Sequence, residues 1–192
     1  MNSVINCPFW IWVEALPVSI CNTIIELGKE LEQKEALTGD STIQGINDEE
    51  IRKTKLGWFE KDIWLDNLLE VYLMKANVSA QWNFILKNSQ KIQFATYEKG
   101  DHYTWHRDSG PNQTEDHYRK LTITTQLSDP NTYKGGDFNL KHFTNEAIIF
   151  PETLNKAGSI IVFPSLLQHR VLPVTKGTKY SITKWFTGPD FV

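Results

Sequence analysis

Two histidines and one aspartate in the second half of the chain have the residue types and the spacing of a metal site. His106 and Asp108 are separated by one residue in a segment that reads as a β-strand, and His169 opens a later segment. Residues i and i+2 of a strand point to the same face, so His106 and Asp108 can hold one ion while Arg107 points away. With His169 as a third ligand, two imidazoles and one carboxylate would leave the other coordination positions open. This arrangement is typical of non-haem Fe(II) oxygenases.

The tripeptide at 106–108 also reads His-Arg-Asp, the start of the catalytic loop of protein kinases. That loop requires an asparagine five residues after the aspartate, together with a glycine-rich loop and a Val-Ala-Ile-Lys lysine. Position 113 is Gln113, and Asp137-Phe138 is followed by Asn139 where kinases have glycine. The sequence therefore excludes a kinase.

Composition narrows the class of protein and its partners. The 192 residues carry a formal net charge of −3 and no dense basic run, so we expect no nucleic acid as partner. Cys7 and Cys21 are too few for a disulfide scaffold, which favours a reducing, cytoplasmic location. No segment has the length of a membrane span, so no membrane association is predicted. The oligomeric state stays open.

The N-terminal half reads as helices and short strands that support a core. Pro17 stands where a helix would begin, and Ile20, Ile24, Leu27 and Leu31 give that helix one apolar stripe. The polar stretch 33–50 reads as a loop. Apolar periodicity predicts helices at 17–32 and 62–77, and strands at 5–13, 82–86 and 92–97.

From residue 92 the pattern changes to short β segments separated by turns. Predicted strands cover 103–108, 120–127, 136–140, 146–150, 159–163, 169–174 and 179–187, with turn residues such as Gly135-Gly136 between them. This pattern predicts an α+β fold with a mainly β core, a double-stranded β-helix of the jelly-roll, cupin-like kind with N-terminal supporting helices. We treat 1–192 as a single domain, with 1–91 as support and 92–188 as core.

Strand alternation gives two of these strands a polar face. In 120–127, Thr122, Thr124 and Gln126 share one face, while the other face is apolar at three of its four positions. In the last strand Lys179 and Ser181 point the same way. Such faces can line a site.

The combined pattern resembles the 2-oxoglutarate and Fe(II)-dependent dioxygenases of the prolyl 4-hydroxylase type. The spacings fit that family: His169 lies 63 residues after His106, and Lys179 lies 10 residues after His169. The matching motifs occupy about half of the chain: Tyr-Glu-Lys-Gly at 97–100, Tyr-Thr-Trp-His-Arg-Asp at 103–108, Leu-Thr-Ile-Thr-Thr-Gln-Leu-Ser at 121–128, Tyr-Lys-Gly-Gly-Asp at 133–137, Gly-Ser-Ile-Ile-Val-Phe-Pro at 158–164, and His-Arg-Val-Leu-Pro-Val-Thr-Lys-Gly-Thr-Lys-Tyr-Ser at 169–181.

The resemblance implies cofactors and a role for each matching residue. His106, Asp108 and His169 would bind Fe(II), and 2-oxoglutarate would chelate the metal through its 2-oxo and C1 carboxylate oxygens. Lys179, where many relatives have arginine, would pair with the C5 carboxylate. Ser181 and Tyr97 would donate hydroxyls to the cosubstrate, and Trp185 would form part of the pocket wall.

The activity that the resemblance implies is hydroxylation of a substrate C–H bond by O₂, with 2-oxoglutarate converted to succinate and CO₂. A proline-containing peptide or protein, hydroxylated at C4, is the first choice of substrate, and a requirement for ascorbate stays open. One alternative is a hydroxylase of free amino acids or small metabolites. Another is a non-catalytic jelly-roll module that binds a metal or ligand. Asp108 disfavours a halogenase, and Trp185, where nucleobase demethylases have a second arginine, disfavours that branch.

Several polar residues lie outside the matching roles. His102, His117 and His142 lack partners in the pattern and read as structural or exposed. Arg119 ends the polar segment 109–118 and is placed where it could meet substrate at the mouth of the site. That segment reads equally well as a lid or as a plain solvated loop.

Overall fold

The computed structural model describes residues 7–36, 48–60, 64–109, 118–142, 144, 146–150 and 152–189. Residues 110–117 of the predicted polar segment 109–118, with His117, lie outside the described residues. In chain order the described elements are β1 Trp10–Trp12, α1 Val18–Lys29, β2 Lys34–Glu35, β3 Arg52–Lys53, β4 Lys55–Trp58, α2 Trp64–Ser79, β5 Asn88–Ser89, β6 Gln93–Tyr97, β7 His102–His106, β8 Tyr118–Gln126, β9 Lys134–Gly135, β10 Phe138–Lys141, β11 Ala147–Ile149, a 3₁₀ turn Glu152–Asn155, β12 Ile160–Pro164, β13 His169–Val171, β14 Val174–Lys176 and β15 Lys179–Gly188.

Two antiparallel sheets form the body of the protein. The major sheet has the order β1-β12-β8-β15-β6-β4-β2, with β5 added to β15, and the minor sheet has the order β11-β10-β13-β7-β3. β9 and β14 form a separate two-stranded ribbon. The mainly β, jelly-roll expectation is thereby met, and the strands β7, β8 and β10 alternate between the two sheets.

The outer face of the major sheet carries the helices. Alternation in β8 and β15 turns Leu121, Ile123, Ile182 and Phe186 toward one large buried cluster. The buried side chains of both helices belong to the same cluster. They are Cys21, Ile24 and Ile25 of α1, and Leu65, Leu69, Leu73 and Ala76 of α2. The apolar faces of the two helices and of the major sheet therefore form a single buried layer.

The inner face of the major sheet meets the minor sheet. At one end of this space Phe138 and Leu140 from β10 pack with Ile161 and Phe163 from β12. At the other end a smaller cluster joins Leu56, Ala95, Tyr97 and Val174. The two clusters leave the polar side chains of β8 and β15 between them.

Two predicted strands differ from the observed structure. The segment 82–86 is not a strand, because Gln81 and Asn83 have positive φ and the Asn77 side chain bonds both the N–H and the carbonyl of Phe84. The predicted strand 169–174 is divided into β13 and β14, which belong to different sheets. Pro173 stands at the division, where it offers no N–H for a ladder.

Short strands also lie where the sequence predicted a loop or no element. β2 falls inside the predicted loop 33–50, and β3 and β4 precede the second helix. Thr54, between β3 and β4, donates its hydroxyl to the carbonyl of Thr96 at 2.8 Å. β3 extends the minor sheet, and β4 belongs to the major sheet. None of the helices among the described residues is long and apolar enough to cross a membrane.

Candidate metal centre

His106, Asp108 and His169 converge at the inner face of the minor sheet. His169 of β13 is paired in register with His106 of β7. The Nε2 atoms of His106 and His169 lie 3.8 and 3.4 Å from the two carboxylate oxygens of Asp108. One ligand atom from each residue falls within 4.8 Å of the others, a spacing that one metal ion can bridge.

Backbone carbonyls fix the orientation of both imidazoles. Nδ1 of His106 lies 2.9 Å from the carbonyl oxygen of Thr104, and Nδ1 of His169 lies 3.1 Å from that of Leu167. Each Nδ1 therefore donates its proton to the backbone, which leaves the Nε2 lone pair directed toward Asp108. This is the tautomer in which histidine binds a metal.

Asp108 is placed by a neighbouring loop, and the strand geometry expected for it was wrong. β7 ends at His106, so Asp108 does not share a strand face with it. The N–H groups of Asp108 and Ser109 both donate to the Ser165 carbonyl at 3.0 Å. Thr122 donates its hydroxyl to Oδ2 of Asp108 at 2.7 Å and lies 2.9 Å from the Ser165 hydroxyl. Asp108 thus lies beyond the end of β7, and its contacts with Ser165 and Thr122 hold its carboxylate beside the two histidines.

Protonation states at this centre suit metal binding. Burial, aided by His169, lowers the pKa of His106 to about 3. Burial alone would raise the pKa of Asp108, but His169, His106 and Arg119 outweigh it and the pKa falls below its ordinary value. Near neutral pH the centre therefore offers a neutral imidazole at His106 beside a carboxylate, the forms that ligate metals.

Among the described residues, the remaining histidines stand apart from this centre. His102 lies 3.2 Å from the carbonyls of Gly100 and Glu50 through its two ring nitrogens. His142 lies against Thr144. Neither set of contacts includes a residue of the metal centre.

Lys179 is a buried cation on the facing sheet. Its side chain hydrogen-bonds the carbonyl of Gly136, and the residue is 1% exposed. Among the described residues no carboxylate forms an ion pair with it. Burial lowers the pKa of Lys179 to about 8, although Asp137 acts in the opposite direction. A buried ammonium without a carboxylate partner is the environment in which an anionic ligand binds favourably.

Strand register groups the other predicted cosubstrate residues around Lys179. Tyr97 of β6 is directly opposite Lys179, and Ser181 of β15 is directly opposite Gln126 of β8. Alternation then brings Lys179 and Ser181 onto the inner face, as expected. Tyr97 is 4% exposed, and burial raises the pKa of its hydroxyl.

Two further polar residues belong to this pocket, although the sequence motifs assigned them no role. Gln126 Oε1 and the Tyr133 hydroxyl are buried, and no described residue provides a hydrogen-bond partner for either. Tyr133 and Lys179 both pack against Gly136, since a Cβ there would lie 3.8 Å from the Tyr133 ring and 3.0 Å from Lys179 Cδ. Two sequence signals mark them: strand alternation places Gln126 on a polar face, and Tyr133 stands in the Tyr-Lys-Gly-Gly motif. Unsatisfied buried groups of this kind fit a polar ligand.

Trp185 and Arg119 lie beside the metal centre. Trp185 is 5% exposed and close enough to Asp108 for its indole to help lower the pKa of that carboxylate. The Arg119 guanidinium lies 4.1 Å from the centroid of the Trp185 ring, and its Nη1 lies 3.4 Å from the Asp108 carbonyl. The predicted positions of these two residues at the pocket wall and at its mouth are therefore compatible with the structure.

Comparison with known families decides what kind of site this is. Residues 92–187, half of the chain, match the model of the 2OG-Fe(II) oxygenase superfamily. The chain belongs to this superfamily. The match spans His106, Asp108, His169 and Lys179, and it confirms the predicted family together with Fe(II), 2-oxoglutarate and O₂ as the family's cofactors.

Individual relatives agree with this assignment. A PKHD-type hydroxylase from Rippkaea orientalis is 30% identical over 147 residues, which cover 69% of this chain and 64% of that protein. The chain thus spans less than two thirds of the length of this relative. Among solved structures, a prolyl-4-hydroxylase from Pseudomonas putida aligns with a TM-score of 0.69 at 19% identity, covering 96% of this chain and 95% of that one.

A prolyl hydroxylase from Trichoplax adhaerens, solved in complex with a peptide fragment of the hypoxia inducible factor oxygen degradation domain, also has a similar fold. It aligns with a TM-score of 0.66 at 19% identity and covers 94% of this chain and 84% of that one. At these identities the two structural likenesses establish the fold. The predicted jelly-roll core with supporting helices is confirmed.

Proposed function

We propose that this protein is an Fe(II)- and 2-oxoglutarate-dependent dioxygenase that hydroxylates a substrate C–H bond and releases succinate and CO₂. The observation that carries the proposal is a pair of complementary sites on facing sheets. One sheet presents the cluster of His106, Asp108 and His169, and the other presents the buried ammonium of Lys179. A metal ion would bind the first site, and a dianion that reaches Lys179 would neutralise the second.

In this proposal His106, Asp108 and His169 hold the iron through two Nε2 atoms and one carboxylate oxygen. Bound iron would supply the activation of O₂ and the oxidation of the substrate. The protein keeps the donors ready for the metal, because the carbonyls of Thr104 and Leu167 hold each imidazole in one tautomer. The Asp108 carboxylate is held in the same way by the hydroxyl of a neighbouring threonine on β8. Little reorganisation is then needed when the ion binds.

The cosubstrate role falls to the inner face of β15 and its neighbours. Lys179 pairs with the C5 carboxylate of 2-oxoglutarate, and Ser181 and Tyr97 donate hydroxyls to the cosubstrate. We add Tyr133 as a further donor, since its buried hydroxyl has no hydrogen-bond partner among the residues that the structure describes. Gln126 can turn its amide toward the same ligand. These donors compensate for the fork that lysine lacks relative to arginine.

For the substrate we propose a peptidyl proline hydroxylated at C4. Support comes from the fold shared with two prolyl hydroxylases, one of them solved with a peptide fragment. A free amino acid or small metabolite is the alternative for the same chemistry. The outcome with different substrate pools separates these possibilities.

The test is succinate production by purified protein supplied with Fe(II), 2-oxoglutarate, O₂ and a library of proline-containing peptides. Mass spectrometry would follow an increase of about 16 Da on proline, the mass of the single oxygen atom that hydroxylation adds. Asp108→Ala should reduce iron affinity by more than roughly a hundredfold and abolish succinate release, since it removes a direct ligand. His142→Ala, which changes a histidine away from the centre, is the matched control and should leave both unchanged.

Unaltered iron affinity in Asp108→Ala would refute the ligand assignment. Binding of Fe(II) and 2-oxoglutarate without succinate from any peptide, amino acid or metabolite pool would support a non-catalytic binding module. Succinate from free amino acids with none from peptides would keep the dioxygenase and replace its substrate.

A further inference from the structure

Arg52 is a buried arginine beside the metal centre that the proposed roles leave unused. It lies on β3, opposite Tyr103 of β7, and is 8% exposed. Its guanidinium carbon lies 4.3 Å from the centroid of the Tyr103 ring. Tyr103 in turn stacks on His106 with a centroid separation of 3.4 Å. A positive charge therefore lies one aromatic ring away from a proposed iron ligand.

Arg52 has no carboxylate partner in the part of the chain that the structure describes. No carboxylate there forms an ion pair with it, and none of the described residues bonds its Nε. The Tyr97 hydroxyl near Arg52 stays neutral because burial raises its pKa. Asp101, which is also buried, uses its Oδ2 to accept the N–H of Glu98 at 2.9 Å. Burying a guanidinium without a counter-ion is unfavourable, so its retention calls for an anion that arrives from outside.

Arg119 reaches the same space because β8 contains a β-bulge. Along β15 and β8, Phe186 pairs with Leu121 but Thr187 pairs with Arg119, so Lys120 is an extra residue. If β8 were regular here, Arg119 would share the outer face of Leu121, because residues two apart point the same way. The bulge instead aims the guanidinium at the inner side of Trp185, 4.1 Å from the ring centroid.

The two arginines flank the metal centre. Arg52 lies against Tyr103, which stacks on His106. Nη1 of Arg119 lies 3.4 Å from the carbonyl oxygen of Asp108. Each guanidinium group is therefore close to a proposed iron ligand. Two cations around one point form a site for an anion.

The charges of the proposed complex point to the identity of that anion. Ferrous iron, Asp108, dianionic 2-oxoglutarate and protonated Lys179 cancel one another. Both carboxylates of 2-oxoglutarate are already used, one at the metal and one at Lys179. Arg52 thus adds a positive charge that the cosubstrate does not pair with and that forms no ion pair with a described carboxylate. An arginine is also suited to hold a carboxylate through two parallel hydrogen bonds.

We propose that Arg52, together with Arg119, binds a carboxylate of the substrate and so makes the enzyme select an acid. This inference rests on the proposed dioxygenase function and specifies its substrate. The carboxylate is either the α-carboxylate of an amino acid or the side chain of an acidic residue beside the hydroxylated one. Trp58, whose ring centroid lies 6.1 Å from that of Trp185, provides an apolar surface at the same position.

The test compares matched probes that differ in one charge. N-acetyl-L-proline is titrated against N-acetyl-L-prolinamide, and a capped Pro-Asp dipeptide against capped Pro-Asn. The protein carries Mn(II) and 2-oxoglutarate without O₂, so that binding is measured apart from turnover. At least one acid should bind roughly tenfold to a hundredfold tighter than its neutral partner, as expected for a charge-assisted contact. The pair that shows the preference identifies the source of the carboxylate.

Arg52→Gln should remove that preference, while Arg52→Lys should retain part of it. Affinity for 2-oxoglutarate in the presence of Mn(II) should stay within about threefold in both variants, which also verifies that they fold. The proposal is overturned if neither acid is preferred, or if Arg52→Gln weakens 2-oxoglutarate and leaves the acid preference intact. Succinate release by the unaltered protein reports separately on the proposed function.

Discussion

Lys179 and Lys184 lie on the same strand, are equally buried, and have opposite surroundings. Both are 1% exposed, but their positions differ by an odd number, so alternation turns them to different faces of the major sheet. Lys184, on the helix side, forms a buried ion pair with Asp66 of α2. Lys179, on the inner side, has a backbone carbonyl and no carboxylate partner among the described residues.

This difference indicates that Lys184 stabilises the fold, whereas Lys179 is suited to bind a ligand. The ion pair of Lys184 is complete within the chain and joins α2 to β15. At Lys179 no described residue supplies the counter-charge, and within the same residues nearby polar atoms of Gln126 and Tyr133 lack hydrogen-bond partners as well. Burial of a charge is thus informative about function only together with its partners.

Lys179→Met should produce the largest effect on function. Removing one partner of a buried charge pair costs about 3 to 5 kcal/mol, so the Kd for 2-oxoglutarate should rise roughly a hundredfold to several thousandfold. The melting temperature without cosubstrate should not fall, because methionine fills the space and no ion pair is broken. Calorimetric titration in the presence of Mn(II), together with a thermal melt, measures both. A change in melting temperature with unaltered affinity would reverse the roles of the two lysines.

Lys184→Met is the matched substitution on the opposite face and should have the converse effect. Leaving the Asp66 carboxylate buried without its ammonium should lower the free energy of unfolding by about 3 to 5 kcal/mol. Affinity for 2-oxoglutarate should be unchanged. Denaturant unfolding provides the measurement. Adding Asp66→Leu should restore most of the lost stability, because replacing both partners of a buried pair is often neutral.

The same contrast explains which features were predictable from the sequence. The helices and the long strands β8 and β15 follow from apolar periodicity, and strand alternation alone places Lys179 and Ser181 on one face. Those predictions depend on local patterns that extend over many residues, where packing and propensity agree.

Features that depend on a single long-range contact could not be predicted. Two-residue strands such as β3 carry no periodicity, and so the position of Arg52 was missed. The bulge at Lys120 leaves no signature in the sequence, although it decides where Arg119 points. Asp108 reaches the metal centre through the Ser165 carbonyl, 57 residues away in the chain, and not through strand alternation. The site was identified from residue types and order, while its geometry required the fold.

Thr122→Val tests the support of the metal centre with a smaller effect. Thr122 lies on the inner face of β8, and its hydroxyl is the donor to Oδ2 of Asp108 at 2.7 Å. Loss of such a supporting contact typically weakens metal binding roughly tenfold to a hundredfold. Fe(II) or Mn(II) affinity should fall by this amount. Thr125→Val, three residues along on the outer face, removes a buried hydroxyl that bonds no described residue and should leave metal affinity unchanged.

The smallest expected effect is a pH dependence of 2-oxoglutarate binding that comes from Lys179 and not from Lys184. Because burial lowers the pKa of Lys179 to about 8, the ammonium is present below that pH and lost above it. The dianion binds the protonated form, so the Kd for 2-oxoglutarate should be flat below this pKa and rise up to about tenfold per pH unit above it. Binding about one pH unit above this pKa should then take up a proton, which calorimetry in two buffers of different ionisation enthalpy detects. Lys179→Arg should abolish this rise, since guanidinium stays charged throughout, whereas Lys184→Met should keep it. A rise that persisted in Lys179→Arg would assign the titration to another group and remove Lys179 as the partner of the C5 carboxylate.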